Sequence, residues 1–246
     1  MRRGDGRAPD ELRPLTLTLD FTENPLASVL CELGRTKLLC TVCAEESVPR
    51  FLQGTGKGWV TAEYSLLPGS TDRRSEREAA RGRPSGRTQE IQRLIGRSLR
   101  AVTELEALGE RSFYVDCDVL QADGGTRTAA VIGGYAALAL ALRRLVAGGL
   151  LPRVPLREGL AAISVGIVRG VPLLDLTYEE DSRADVDMNV VATASGRLAE
   201  VQGTGEGATF ARGELDALVD LALRGIAQIC ELQEEALARA KPAPGR

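Results

Sequence analysis

The chain has 246 residues, 43% of them hydrophobic and 26% charged, enough for one large domain or two small ones with real cores. Its formal net charge is −3, so no global basic field draws nucleic acid, and any RNA contact must rest on local patches. There is no histidine, which excludes Ser-His-Asp and Cys-His nucleophiles, imidazole acid–base chemistry and zinc–histidine sites.

The charged start, residues 1–7, has no apolar stretch behind it and is not expected to be a secretory signal. No apolar run approaches the roughly 20 residues of a membrane span, so the expected address is the cytoplasm. Residues 15–21 alternate apolar and polar, as a half-buried strand does. Residues 29–33, the turn Gly34-Arg35 and residues 36–44 predict a hairpin. Cys40 and Cys43 lie three apart on the second of these strands and so point to opposite faces, where they cannot share a metal. Cys31, Cys117 and Cys230 complete an odd, scattered set unlike a disulfide framework. Gly54-Thr55-Gly56-Lys57-Gly58 has the composition of a phosphate loop without its spacing, and the strand predicted over 59–66 follows it where a helix should.

Residues 68–86 are polar and broken by glycine and proline, the pattern of a long loop. Between Arg73 and Arg87 lie Arg73, Arg74, Arg77, Arg81, Arg83 and Arg87 against Glu76 and Glu78, a local charge of 6 − 2 = +4. Such a patch suits a phosphodiester backbone, and with no aromatic residue in it base stacking there is not expected to dominate. The competing reading is a solvated charged loop.

Residues 88–102 carry Ile91, Leu94, Ile95, Leu99 and Val102 at helical spacing, with Arg93, Arg97 and Arg100 opposite. A strand is predicted over 113–120 and a buried, nearly all-apolar helix over 128–146. Between them stands Gly124-Gly125-Thr126-Arg127-Thr128. Unpaired N–H groups at a helix start favour an anion, glycines let it approach, and Thr126 and Arg127 add donors that match phosphate oxygens. A plain glycine turn with a threonine cap fits the same residues.

The second half returns to strands over 160–168, 173–178, 186–192 and 198–202, with Ser195-Gly196 as a hairpin turn and Gly203-Thr204-Gly205-Glu206-Gly207 as a flexible connection. A long helix is predicted over 214–240, with a broken helix as the alternative. Asp181, Asp185 and Asp187 cluster within residues 179–189, with Asp185, Asp187 and Asn189 on one face of the strand there. Carboxylates beside a phosphate site suit Mg²⁺, and a charged loop leading into a strand is the alternative. Each half runs strands first and then helix, which predicts an α+β fold of two similar units, residues 1–150 and 151–246. An anion cradle, a basic loop and a carboxylate pair imply displacement at phosphorus. Phosphate suits a histidine-free site as nucleophile, needing positioning and charge neutralisation more than a base; water with a metal would use the same residues.

Five segments, in order, resemble the ribonuclease PH family: residues 7–14 (Arg7-Ala8-Pro9 to Arg13-Pro14), 58–64 (Gly58-Trp59 to Tyr64), 86–100 (Gly86-Arg87-Thr88 to Arg100), 123–128 (Asp123-Gly124-Gly125 to Thr128) and 186–191 (Val186-Asp187-Met188-Asn189 to Val191). The resemblance implies two tandem sheet-plus-helix units of the ribosomal protein S5 domain 2-like kind, assembled as a homohexameric ring, a trimer of dimers. It implies Mg²⁺-dependent phosphorolysis of the 3′ ends of tRNA precursors and other structured RNA, consuming inorganic phosphate and releasing nucleoside diphosphates. Arg87, Gly125, Thr126 and Arg127 fall on the family's phosphate-binding positions, and Asp181 and Asp187 on its catalytic, metal-binding carboxylates. Arg73, Arg74 and Arg77 belong to its RNA-binding loop. A non-catalytic RNA-binding subunit of an exosome-like ring is the alternative. Gly69 stands where the family usually has arginine, Asp72 where it has histidine and Thr177 where it has aspartate; the first two are expected to weaken the grip on RNA.

Overall fold

Alternating residues at the start of the chain form β1 (Leu15–Leu19), β2 (Ala27–Leu33) and β3 (Thr36–Glu45), with every second residue partly buried in β1 and fully buried along most of β2 and β3. In this computed structural model residues 3–207 and 209–240 are described, with the side chains of residues 79 and 81 left out. With β4 (Trp59–Leu66) and β5 (Ser112–Gln121) these strands make a five-stranded sheet in the order β1-β2-β3-β5-β4. All pairs are antiparallel except β4 with β5, which are joined by a crossover through α1 (Gly86–Val102), as parallel neighbours require.

Helix α1 starts at Ser85, whose Oγ accepts the Thr88 N–H at 3.2 Å. It buries the predicted stripe of Ile91, Leu94, Ile95, Leu99 and Val102 against β4 and α2 (Thr126–Ala147). Helix α2 is apolar all round because it packs against β2 and β3 on one side and β6 on the other. By length and composition it could cross a membrane, which the sequence reading did not anticipate, yet 83% of its most apolar stretch is buried within the fold.

The second sheet, ordered β7-β6-β8-β9, is antiparallel throughout and comprises β6 (Leu160–Val168), β7 (Val171–Leu174), β8 (Val186–Thr193) and β9 (Leu198–Gly205). Helix α4 (Arg212–Ala238) packs on β6, β8 and β1. It is unbroken, and residues 241–246 beyond it lie outside the described ones.

Two expectations need correction. The strand predicted over 173–178 ends at Leu174, because Asp175 turns left-handed at φ 55° and Thr177 then caps a short helix α3 (Tyr178–Asp181). The supposed flexible connection at 203–207 instead extends β9 as far as Gly205, with Gly203 paired opposite Met188.

Candidate active site

Helix α2 begins at the glycine turn that the sequence singled out. Gly124 and Gly125 are both left-handed, at φ 74° and 66°, which favours glycine. A side chain on Gly124 would also stand 2.6 Å from the Tyr178 backbone nitrogen, so this glycine lets the turn touch α3 of the second half. Thr36 ties the turn down: its hydroxyl donates to the Gly124 carbonyl at 2.7 Å and accepts the Asp123 N–H at 2.9 Å. Intrahelical bonding starts with the Ala129 N–H on the Gly125 carbonyl, so the N–H groups of the first turn have no helical acceptor.

Thr126 is buried, and its Oγ1 accepts the Tyr64 hydroxyl at 2.8 Å. With that lone pair occupied, the proton of the Thr126 hydroxyl remains for another acceptor. Arg127, one residue on, is steered by Gln202 of β9, whose Oε1 accepts from Nη1 at 3.1 Å, and by Glu90 of α1 at 3.7 Å. Gln202 in turn donates to Glu90 at 2.9 Å.

Facing this turn stand the two carboxylates. Asp181 closes α3 and Asp187 is the second residue of β8; both are half-buried. Burial, and then the charge of Asp181, push the Asp187 carboxyl up to about 6, while Arg127 opposes them. Burial also raises Asp181, against its hydrogen bond with Asp187 and the charges of Arg127 and Arg87. The two acids and the two arginines therefore share one electrostatic environment.

A cleft of about 620 Å³ unites these groups: Arg87, Gly125, Thr126 and Arg127 of the first half line it together with Asp181, Asp187 and Asn189 of the second. Arg74 lines it as well. Arg73 and Arg77 stand exposed on the same loop but outside the lining; burial raises the Asp118 carboxyl, and Arg77 lies close enough to oppose that rise in part. The loop is pinned at its start by the Ser70 N–H on Leu67 and the Ala122 N–H on Ser70. Gly69 has open space around it, so the missing arginine leaves no structural gap to fill. Asp185 does not line the cleft, and its backbone joins Ile167 and Glu206.

The N-terminal segment holds the two halves of the site together. Arg13 donates to Asp175 through Nε at 2.9 Å and Nη2 at 2.6 Å, and through Nη1 to the Asp123 carbonyl at 2.7 Å. Arg3 grips Glu180 at 2.8 and 2.7 Å and also the carbonyls of Leu174 and Asp175. Glu180 and Thr177 form the capping box of α3, so threonine does the capping work open to an aspartate at this position.

Sequence reading missed Tyr64, Tyr178, Ser164 and Gln202 as parts of the site. The glycine string at 54–58 lies elsewhere: a side chain on Gly58 would stand 2.5 Å from Leu108, so this glycine serves close packing.

Comparison with known proteins agrees with the two-part fold. Domain 1 of the 3′ exoribonuclease family matches residues 11–143 and its domain 2 matches residues 160–225. The chain belongs to the ribonuclease PH family of 3′ exoribonucleases. The ribonuclease PH proteins of Mycobacterium tuberculosis and Mycobacterium bovis are each 60% identical to it over 246 residues, 99% of this chain and 94% of theirs. Among solved structures, the Archaeoglobus fulgidus exosome with RNA bound to the active site matches the fold with a TM-score of 0.80 at 22% identity, covering 94% of this chain and 92% of that one. An archaeal exosome core matches with a TM-score of 0.75 at 21% identity, over 95% and 91% of the two chains.

Proposed function

We propose that this family member is a phosphate-dependent 3′→5′ exoribonuclease that trims tRNA precursors and other structured RNA, with the phosphate held by Arg87, the Gly125 backbone, Thr126 and Arg127. The observation that carries this reading is the shared cleft, where an anion cradle at a helix start faces a pair of half-buried carboxylates.

In the reaction, a phosphate oxygen attacks the phosphorus of the last phosphodiester. The bond to the 3′ oxygen of the preceding nucleotide breaks, and that oxygen takes the proton given up by hydrogen phosphate. The released nucleotide carries the incoming phosphate as its β-phosphate. Arg87 and Arg127 orient the nucleophile and offset its charge against the RNA phosphate, work that positioning and preorganised donors do without a general base. In the reverse direction the same contacts add nucleotides to 3′ ends.

Asp181 and Asp187 supply oxygen donors of the kind Mg²⁺ takes, one or two carboxylates with the rest from water and substrate phosphates. When bound there, Mg²⁺ would neutralise charge building up on the phosphate oxygens.

Arg73, Arg74 and Arg77 extend from the cleft as the RNA-gripping loop, for this subunit's site or a neighbour's in a homohexameric ring. Such a ring, working in the cytoplasm, reconciles an acidic chain with a basic loop. The non-catalytic exosome-like alternative is disfavoured because every phosphate and carboxylate position is filled. The test is incubation with a 3′-extended tRNA, with and without phosphate. Nucleoside diphosphates released only with phosphate support phosphorolysis; monophosphates released without it would mean hydrolysis.

A further inference from the structure

The arginine loop carries no aromatic residue, yet the cleft has one to offer from the other half of the chain. Two tyrosines line it. Tyr64 is 3% exposed and spends its hydroxyl on Thr126. Tyr178 is 64% exposed, an apolar ring left in solvent with no gain to the core.

Its position is nonetheless fixed. Tyr178 opens α3 and Asp181 closes it, so the two share a helix face. The capping box of Thr177 and Glu180 sets the helix start, and the Tyr178 backbone nitrogen lies where a Gly124 side chain would be. The ring is thereby tied both to the carboxylate segment and to the phosphate turn.

In phosphorolysis the base of the departing nucleotide hangs one sugar away from the phosphorus under attack. An enzyme that removes whichever base comes next needs a contact that every base offers. Stacking on an aromatic face is such a contact, whereas hydrogen-bond readout of base edges is not.

We propose that Tyr178 is the stacking platform for the 3′-terminal nucleobase, a substrate-contacting residue supplied by the second half. The inference rests on the phosphorolytic reading of the cleft. Because stacking holds ground state and transition state alike, its loss raises KM for RNA and leaves kcat near its original value.

The experiment pairs variants with substrates. Wild type, Tyr178→Ala and Tyr178→Phe are assayed with phosphate on an RNA ending in adenosine and on the same RNA ending in an abasic residue, and the size of each assembly is measured. On the adenosine end, Tyr178→Ala is expected to raise KM roughly 5- to 150-fold, the range of one lost base stack. Tyr178→Phe, which keeps the ring, is expected to restore it. On the abasic end, wild type and Tyr178→Ala are expected to coincide. An equal penalty on both ends, an unchanged KM on adenosine, or a changed assembly size with parallel loss on both substrates would each overturn the proposal. A wild-type enzyme that releases no nucleoside diphosphate from the adenosine end would instead overturn the underlying reading of the cleft.

Discussion

Arg13 and Asp175 meet in a two-pronged ion pair, 2.6 Å from Nη2 to Oδ1 and 2.9 Å from Nε to Oδ2, with side chains only 4% and 0% exposed. The same guanidinium donates to the Asp123 carbonyl just before the glycine turn. One residue of the N-terminal segment thus spans the phosphate turn of the first half and the strand exit that leads to Asp181.

Arg13→Met removes the two-pronged partner and leaves the buried Asp175 carboxylate with only Arg7, 3.6 Å away, and the residue-13 backbone N–H, a loss of at most about 3–5 kcal/mol in unfolding free energy. Denaturant midpoints at one fixed protein concentration measure it. A loss under about 1 kcal/mol would show that the pair does not hold the halves together.

Tyr64→Phe deletes only the hydroxyl that occupies Thr126 Oγ1. The Thr126 hydroxyl then loses its fixed orientation, and KM for phosphate is expected to rise a few-fold, in line with about 0.5–1.5 kcal/mol for one neutral hydrogen bond. Initial rates at varied phosphate and saturating RNA measure it. A rise in KM for RNA alone would place the hydroxyl outside the phosphate pocket.

Arg87→Ala and Arg127→Ala should each lower phosphorolysis by about 10²-fold, the scale of one lost preorganised donor. RNA affinity without phosphate should stay near wild type, because Arg73, Arg74 and Arg77 remain. Equal losses in both measurements would contradict the division between phosphate cradle and RNA loop.

Much of this was legible in the sequence. Two-residue alternation gave β1 to β3, the Ile91–Leu94–Ile95–Leu99 stripe gave α1, and the glycine pair before Thr126 marked the start of α2. Pairing across the chain was hidden. Gln202 steers Arg127 from 75 residues away, and Tyr64 reaches Thr126 across 62, separations that no local pattern encodes. Asp175 looked like strand because its neighbours Leu174 and Leu176 are apolar; only its buried partner Arg13 and its left-handed backbone explain the break. Asp185 shared the sequence face of Asp187 but falls outside the cleft, since face alone does not say where a strand meets a pocket.

Glu180 gives a pH dependence. Burial raises its carboxyl, but the Arg3 hydrogen bonds, the Thr177 N–H and the charges of Arg3 and Arg7 more than reverse this, leaving it below the ordinary 4.5. A folded value below the unfolded one means stability that is fully present above about 4.5 and is lost as the pH falls through the folded value. Glu180→Gln should therefore melt lower than wild type by a constant margin near neutrality, and that margin should shrink in acid below about pH 4.5. Melting curves across pH 3 to 7 (roughly the span over which the carboxyl changes charge) measure it; a margin independent of pH would remove the charge from the explanation.

Phosphorolysis requires inorganic phosphate to be the attacking group. Isotope-labelled phosphate supplied with unlabelled 3′-extended tRNA tests this directly. The label is expected in the β-phosphate of the released nucleoside diphosphates, and its incorporation is expected to fall in Arg127→Ala. Nucleotides released without the label, at the same rate whether or not phosphate is present, would contradict it.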